Sequence, residues 1–394
     1  MKKLLLATAT LALTAGLASA EEVKIGLSLG FTGPLESLAP AMASGAELAV
    51  KEVSDSGKLL DGSTVTAVRA DNTCTDAAAS VAAVERLVTS DKVNGIMGGM
   101  CSGETIASLE RVGVPNGMVM ISPSATSPAL TDIEDQGFFF RTSPSDSRQG
   151  EVMADITLEH GIQSVAITYT NNDYGKGLAE SFKSAFEAKG GTVTMISAHD
   201  DGKADYSAEV GALAAAGGDA LAVGGYVDQG GSGVMRGVLD AGAFDTFILP
   251  DGMVGQPVVD KFGTELEKSF GQNPAAEGEG RDKFVELAKA AGFDGTSAFS
   301  AESYDATALM LLAMQAAGSS DPRVYKDKVM DVANAPGEKI GPGDLARGLE
   351  LLAAGQDIDY DGASAVEFVE PGESAGTYRE VDFKGGTLNA VRTR

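Results

Sequence analysis

The chain predicts an α/β protein built from two units, each a doubly wound parallel sheet covered by helices on both faces. Three observations carry that expectation. Short apolar runs alternate with segments of helical period almost from end to end. About 370 residues remain once an apparent leader is set aside, which exceeds one ordinary core and makes two domains the expectation. Twice, in Gly98–Thr105 and Met118–Pro128, a short apolar strand empties into a loop of small hydroxyl residues that opens a helix, as at the strand ends of open parallel sheets.

The elements follow in order. Val23–Leu29 reads as a strand and 41–53 as a helix with Leu48, Ala49 and Val53 inward. Thr64–Ala70 is a strand, and a helix over 77–88 starts after the capping pair Thr75-Asp76. Val93–Met97 and Met118–Ile121 read as short buried strands flanking a helix over 104–112. A second unit begins after Phe138–Pro144, with strands expected at 164–169, 192–197, 220–224 and 247–249. Its helices are expected after the lead-in Tyr174-Gly-Lys-Gly177 through Ala188, and at 206–215 and 234–241, with Gly230-Gly-Ser-Gly233 as a flexible turn before the last. Helices over 301–317 and 343–354 and strand-like runs at 365–369, 377–383 and 387–391 close the chain. Right-handed crossovers place every strand's C-terminal end along one edge, where ligands bind near a switch in strand order.

Lys2-Lys3, the apolar run Leu4–Leu17 and Ala18-Ser19-Ala20 form a secretory signal peptide over residues 1–20, so a periplasmic address is expected. No later stretch is long enough to cross a membrane, and no Cys follows the cleavage point to carry a lipid. Removing Lys2 and Lys3 takes the formal charge from −26 to −28. Such acidity argues against nucleic acid and anionic membrane surfaces as partners, and suits a soluble secreted chain. Only Cys74 and Cys101 are present; in an oxidising compartment an even pair suggests one disulfide, with two free buried thiols as the alternative. With two His and no Trp, a His-based metal site or triad is not expected, and no metal or cofactor is. There is no Gly-x-Ser-x-Gly elbow, no phosphate loop, no His-Glu-x-x-His and no Cys-x-x-Cys. The chain reads as equipped to hold something rather than to transform it, so no enzyme activity is expected. An exported hydrolase using Ser102 as nucleophile lacks a histidine in a partner motif.

Helix starts leave backbone N–H groups unpaired and carry partial positive charge, so the loops at Ser102 and Thr126 suit a bound carboxylate. Each residue could equally cap its own helix, and the residues alone leave both readings open.

The blocks Gly26–Pro34, Asp71–Cys74, Gly98–Ser102, Ile121–Thr126, Asn172–Leu178, Gly224–Tyr226 and Leu249–Gly252, with the spacing between them, resemble the periplasmic leucine/isoleucine/valine-binding family. These are type I substrate-binding proteins of ABC importers, and the resemblance spans nearly the whole mature chain. It implies two lobes joined by three crossover strands that close on a ligand like a flytrap: residues 21–144 with 275–370, and residues 145–274 with 371–394. It also implies the Cys74–Cys101 bridge. Ser102 and the loop Ser124-Ala125-Thr126 match positions that meet an amino acid's carboxylate, with the Ser124 carbonyl facing the ammonium. Tyr226 and Asp251 match the second-lobe groups that complete the ammonium site, Tyr174 a cleft aromatic, and Phe299 a contact near the ligand side chain. Without the resemblance, Tyr226 reads as a strand-end aromatic and Asp251 as the start of an Asp-Gly turn. The pattern departs from the family at Leu38, where a first-loop aromatic is common, at Glu302, near a usually apolar cleft position, and at Asp251, where Glu is common. The implied function is delivery of a branched-chain or related amino acid to a membrane permease and ATPase by a monomeric receptor. A receptor of the same fold for urea, short amides or aromatic carboxylates, or a ligand sensor without transport, is the alternative.

Overall fold

A computed structural model of the protein describes residues 22–394; the expected signal peptide lies outside them. In the first half of the chain, strands β1 (Glu22–Leu29), β2 (Thr64–Asp71), β3 (Gly95–Gly98), β4 (Met120–Ser122) and β5 (Phe139–Arg141) alternate with helices. The second unit repeats the pattern with β6 (Ser164–Thr170), β7 (Thr192–His199), β8 (Ala220–Gly224), β9 (Phe247–Leu249) and β10 (Phe270–Pro274). A small parallel pair, β11 (Glu338–Ile340) and β12 (Ile358–Tyr360), precedes β13 (Phe368–Val369), β14 (Glu373–Ser374), β15 (Tyr378–Asp382) and β16 (Asn389–Thr393).

Two seven-stranded sheets result, in the orders β13-β14-β5-β4-β3-β1-β2 and β16-β15-β10-β9-β8-β6-β7. All neighbours within β1–β5 and within β6–β10 are parallel, because a crossover returns the chain after each strand, helical everywhere except between β4 and β5, where it is a loop with one helical turn. The sheets are mixed at one edge only, where β13–β14, β10–β15 and β15–β16 run antiparallel. The chain passes between the sheets three times: after Arg141, after Pro274 and after Ser374. This is the two-lobed α/β architecture expected, with antiparallel margins in place of wholly parallel sheets.

The order inverts between β1 and β3 in one sheet and between β6 and β8 in the other. Loops leaving those strands diverge to opposite faces and leave a crevice at the carboxyl edge. Local sequence fixes the helix starts there. Asp76 accepts from the Ala78 and Ala79 N–H groups, as expected, and Asn172 accepts from Gly175 N–H to start the helix Asp173–Ala188. The helix Ser300–Ala317 is buried almost all round and packs on Ala39–Ser56. Gly45 permits that contact: a Cβ there would lie 2.2 Å from the Ser300 carbonyl oxygen. Among the described residues no helix is long and apolar enough to cross a membrane.

Four local expectations need correction. Thr126 opens no α-helix; a single turn, Pro128–Leu130, follows, because Pro128 and the cap from Ser127 Oγ to Ala129 N–H hold only one turn before the chain heads to β5. Ser102 is the first residue of its helix rather than its cap, which is Cys101. Gly230–Gly233 is the first turn of the helix Gly230–Asp240, since close packing on Tyr226 and Tyr206 excludes larger side chains. The run at 365–369 is extended only at Phe368–Val369. Helices Asp146–Glu159 and Glu279–Ala291 and strand β10 were not expected; charged and glycine residues in these stretches obscure their periodicity.

Candidate functional site

Loops from the carboxyl ends of strands in both sheets meet across a narrow, nearly filled cavity. It is lined by Leu35 after β1, Met100–Ser102 after β3, Ser124 after β4, Tyr174 after β6, Tyr226 after β8, Asp251-Gly252 after β9, and Phe299. The structure thus brings Ser102, Ser124, Tyr174, Tyr226, Asp251 and Phe299 together. Ala125 and Thr126 are fully buried just behind, and their side chains are not on the wall. Leu38 lies outside, in a larger open cleft of about 640 Å³ lined by Ser37, Leu38 and the first turns of the helix Ala39–Ser56 on one side and residues 254–260 on another. Leu35 occupies the cavity from the same loop.

The first-lobe wall is held by buried hydrogen bonds. Cys74 and Cys101 form a disulfide with Cα atoms 5.1 Å apart, tying the end of β2 to the loop before Ser102. Glu104 is buried one turn into the helix; its Oε1 accepts from Met100 N–H (2.7 Å), Cys101 N–H (3.1 Å) and Asn72 Nδ2 (2.8 Å), and its Oε2 from Ser80 Oγ (2.6 Å). Burial pushes this carboxyl up to about 7 against those donors. Gly98 at φ 133° brings the loop within reach, since a Cβ would lie 2.2 Å from the Ser28 carbonyl oxygen. Ser122 Oγ donates to Gly99 O (2.7 Å) and accepts from Ala125 N–H (2.9 Å), and Ser124 Oγ donates to Met100 O (2.7 Å). Ser102 Oγ accepts from Ser127 N–H at 3.0 Å, so the two hydroxyl loops are locked to each other.

The second-lobe wall is aromatic and acidic. The Tyr174 and Tyr226 rings stack with centroids 5.3 Å apart. Tyr174 Oη donates to Asp251 Oδ1 at 2.7 Å, and Gly252 N–H to the same oxygen at 2.8 Å. Tyr226 Oη accepts from Asn172 Nδ2 at 3.2 Å. Burial raises the Asp251 carboxyl and both phenols above their usual ranges. Phe299 sits at φ 62°, a left-handed conformation costly for an aromatic residue, at the start of the helix Ser300–Ala317. Glu302, one turn on, is buried but not on the cavity wall; its carbonyl accepts from Thr142 Oγ1 (2.9 Å), and burial takes its carboxyl up to about 7, opposed by Arg281.

Sequence reasoning missed Leu35, Met100 and Gly252, whose types carry no chemical signal. It also missed Asp146 and Gln149, which lie fully buried behind Asp251. The lobes are closed on each other. Asp228 Oδ2 accepts from Ser37 N–H (3.0 Å) and Ser37 Oγ (2.6 Å), Asp228 N–H donates to Pro34 O (3.1 Å), and Ser127 Oγ donates to Asp173 O (3.0 Å). Among the described residues no cluster of three or more His, Cys, Asp and Glu could hold a metal ion.

With donors on one wall and an acid on the other, the walls suit a small molecule with separated charges, which the closed lobes must part to admit. A Leu/Ile/Val-binding protein homologue of Brucella melitensis is 30% identical over 346 residues, covering 86% of each chain. Two solved structures share the fold. A branched-chain amino acid transporter substrate-binding protein of Streptococcus pneumoniae, in complex with isoleucine, superposes with a TM-score of 0.79 at 22% identity, covering 95% of this chain and 99% of that one. A solute-binding protein of R. palustris in complex with 4-hydroxybenzoate gives 0.74 at 18% identity, covering 95% and 97%. The family model for periplasmic binding proteins matches residues 22–335, and the chain belongs to that family.

Proposed function

We propose that this substrate-binding protein receives an α-amino acid of the branched-chain or a related class in its interlobe cavity and delivers it to the permease and ATPase of an ABC importer. The observation that carries the reading is the split of the cavity wall: hydroxyl and backbone donors on the first lobe, a buried carboxyl backed by two tyrosines on the second. Ser102 and the Thr126 loop take the carboxylate, releasing the Ser102–Ser127 bond as they do so. The Ser124 carbonyl, Tyr226 and Asp251 take the ammonium, with Ala125 shaping the loop and Tyr174 orienting Asp251. Leu35 and Phe299 face the aliphatic end. Charge-assisted hydrogen bonds in a site that closure shields from water supply the affinity without covalent chemistry. The two lobes comprise residues 21–144 with 275–374 and 145–274 with 375–394, a last crossing four residues later than expected because β14 pairs with β5; the receptor is a secreted periplasmic monomer, and neither nucleic acid nor a cofactor has a role.

Calorimetric titration of the mature chain with leucine, isoleucine, valine, threonine, alanine, urea, acetamide and 4-hydroxybenzoate tests this. Saturable binding of one or more aliphatic amino acids is expected. Binding of 4-hydroxybenzoate or an amide, with none of any amino acid, would overturn the zwitterion reading in favour of the aromatic or amide one, which the stacked Tyr174–Tyr226 pair could serve. A deletion of the neighbouring permease gene that leaves uptake of the ligand intact would replace transport by sensing.

A further inference from the structure

Behind the cavity, at the first passage of the chain between the lobes, lies a second buried acid that the binding reading leaves without a role. Asp146 is fully buried at the start of the helix Asp146–Glu159. Its N–H donates to the Thr126 carbonyl at 2.8 Å, which ties it to the first-lobe ligand loop. Gln149, with its amide turned to satisfy both ends, donates to Asp146 Oδ1 at 2.8 Å and accepts from Asp251 N–H at 3.3 Å. Asp146 therefore sits between Thr126 on one lobe and Asp251 on the other. Its Oδ2 and the Thr126 hydroxyl are both buried, meet no other group in good hydrogen-bond geometry, and interact with each other, a contact that favours the ionised carboxylate without outweighing burial.

The charges around the pair do not balance. The neighbouring cation is Arg141, fully buried, whose Nη2 is 2.6 Å from Glu373 Oε2 and whose Nη1 and Nη2 also donate to the Ala125 and Ser127 carbonyls and Thr131 Oγ1; its Nε has no partner, and its charge favours the ionised form of Asp146 less than burial opposes it. Glu373 already neutralises it. The other groups facing the acids are phenols, Tyr174, Tyr226 and Tyr378, with Arg148 more distant. Two carboxyls in so dry a place cannot both ionise without a cation, as in other buried acid pairs.

We propose that Asp146 is a positioning residue that shares one proton with Asp251 in the empty site, and that entry of the ligand's ammonium beside Asp251 expels that proton. This rests on the amino acid reading above. Burial, and for Asp146 the charge of Asp251, raises both carboxyls, the direction the proposal requires. The consequence is specific. The site binds an ammonium-bearing ligand with net release of up to one proton, and affinity climbs by up to about tenfold per pH unit until the empty pair ionises by itself.

The test is calorimetry of the mature protein with L-leucine near neutral pH in phosphate and in Tris, buffers of very different ionisation heat, followed by titrations from about pH 5 to 9, the range over which a raised carboxyl pair titrates. Apparent enthalpies that differ in proportion to the buffer heats, with affinity rising with pH, are the expected result. Asp146→Asn, checked for native circular dichroism, should lose most of the released proton and flatten the profile. A merely structural Asp146 would weaken binding without changing the proton count. Leucine heats equal in both buffers overturn the proposal on the wild-type protein alone, whatever the variant does. Absence of heat with leucine and every other amino acid instead overturns the amino acid reading, and the proposal with it.

Discussion

The bond between Asp228 and the first-lobe loop offers a direct measure of how closure feeds affinity. Asp228 follows β8 on the second lobe and accepts both the N–H and the hydroxyl of Ser37 on one carboxylate oxygen, while Lys261 holds the other at 3.1 Å. Asp228→Ala removes two interlobe bonds to a charged acceptor and leaves the backbone bond to Pro34 in place. Hydrogen bonds to charged groups contribute roughly 1.5–3 kcal/mol when buried. This pair stands at the rim, with the Asp228 side chain 14% exposed and Ser37 exposed, so solvent screening reduces the sum to about 1.5–2 kcal/mol. The open form lacks these contacts, so the whole loss falls on the closed form. If ligand binds the closed form, Kd rises by up to the same factor, roughly 10–30-fold: in full where the free protein is mostly open, and by less, with a larger change in lobe separation, where it is mostly closed. Calorimetry gives Kd, and small-angle scattering of the unliganded protein gives the lobe separation, which should increase. A Kd within about twofold of wild type, with an unchanged scattering curve, would show that these bonds exist equally in the open form and that closure is driven elsewhere.

Other perturbations have outcomes of known sign. Asp251→Asn should weaken amino acid binding by about 2–5 kcal/mol, read as Kd by calorimetry, because one partner of a buried charge pair is lost; unchanged affinity would remove Asp251 from the ligand. Cys74→Ser with Cys101→Ser should lower the chemical stability of the protein by roughly 3–4 kcal/mol, visible as a shifted denaturant midpoint, since the bridge closes a separation of 27 residues. Glu302 has a folded carboxyl at about 7, above its unfolded value, so the native state holds its proton more tightly and the group's contribution declines as pH rises from about 4.5 to 7. Glu302→Gln should therefore stabilise the protein by about 1–3 kcal/mol above neutral pH and change little below about pH 4.5, a difference that melting curves at the two pH values would show. Glu159 has the opposite sign: Arg394 and Arg392 hold it down at about 2, so its contribution is lost as pH falls from about 4.5 to 2.

Much of the fold was legible because most strands of the two parallel sheets are short apolar runs followed by an amphipathic helix. Residues 220–224 contain no polar interruption to mislead the period, and the strand Ala220–Gly224 lies where the pattern puts it. The margins were not legible. Strand β10 reads Phe-Gly-Gln-Asn-Pro, and its place comes from pairing with β15, over a hundred residues later. The helix Asp146–Glu159 carries Asp146 and Gln149 on its buried face, so a polar pair masks the very stripe that would betray it. The same masking hid Asp146 as a site residue. Cavity residues with distinctive chemistry or a motif around them, such as Ser102, Tyr174 and Asp251, could be named from sequence; Leu35 and Met100 could not, since apolar walls look like core. Glu104 is the instructive case. It reads as an ordinary first-turn acid, and only the backbone path of the Gly98–Cys101 loop shows it to be that loop's central acceptor.

The packing of Ser300–Ala317 on Ala39–Ser56 has a consequence for how the chain is made. A polypeptide emerging amino end first can lay down β1 to β5 and then β6 to β10 while the partner of its first helix has still to be synthesised. Through all that time the face of the first helix around Gly45 and Glu52, which meets Ser300 and Tyr304 in the finished molecule, lacks the helix that packs on it. Early assembly is thereby held incomplete, with a sticky apolar stripe near the front of the nascent chain. Transiently exposed apolar surface of that kind invites aggregation and is what chaperones exist to cover, and here its burial waits on a helix that begins only at Ser300.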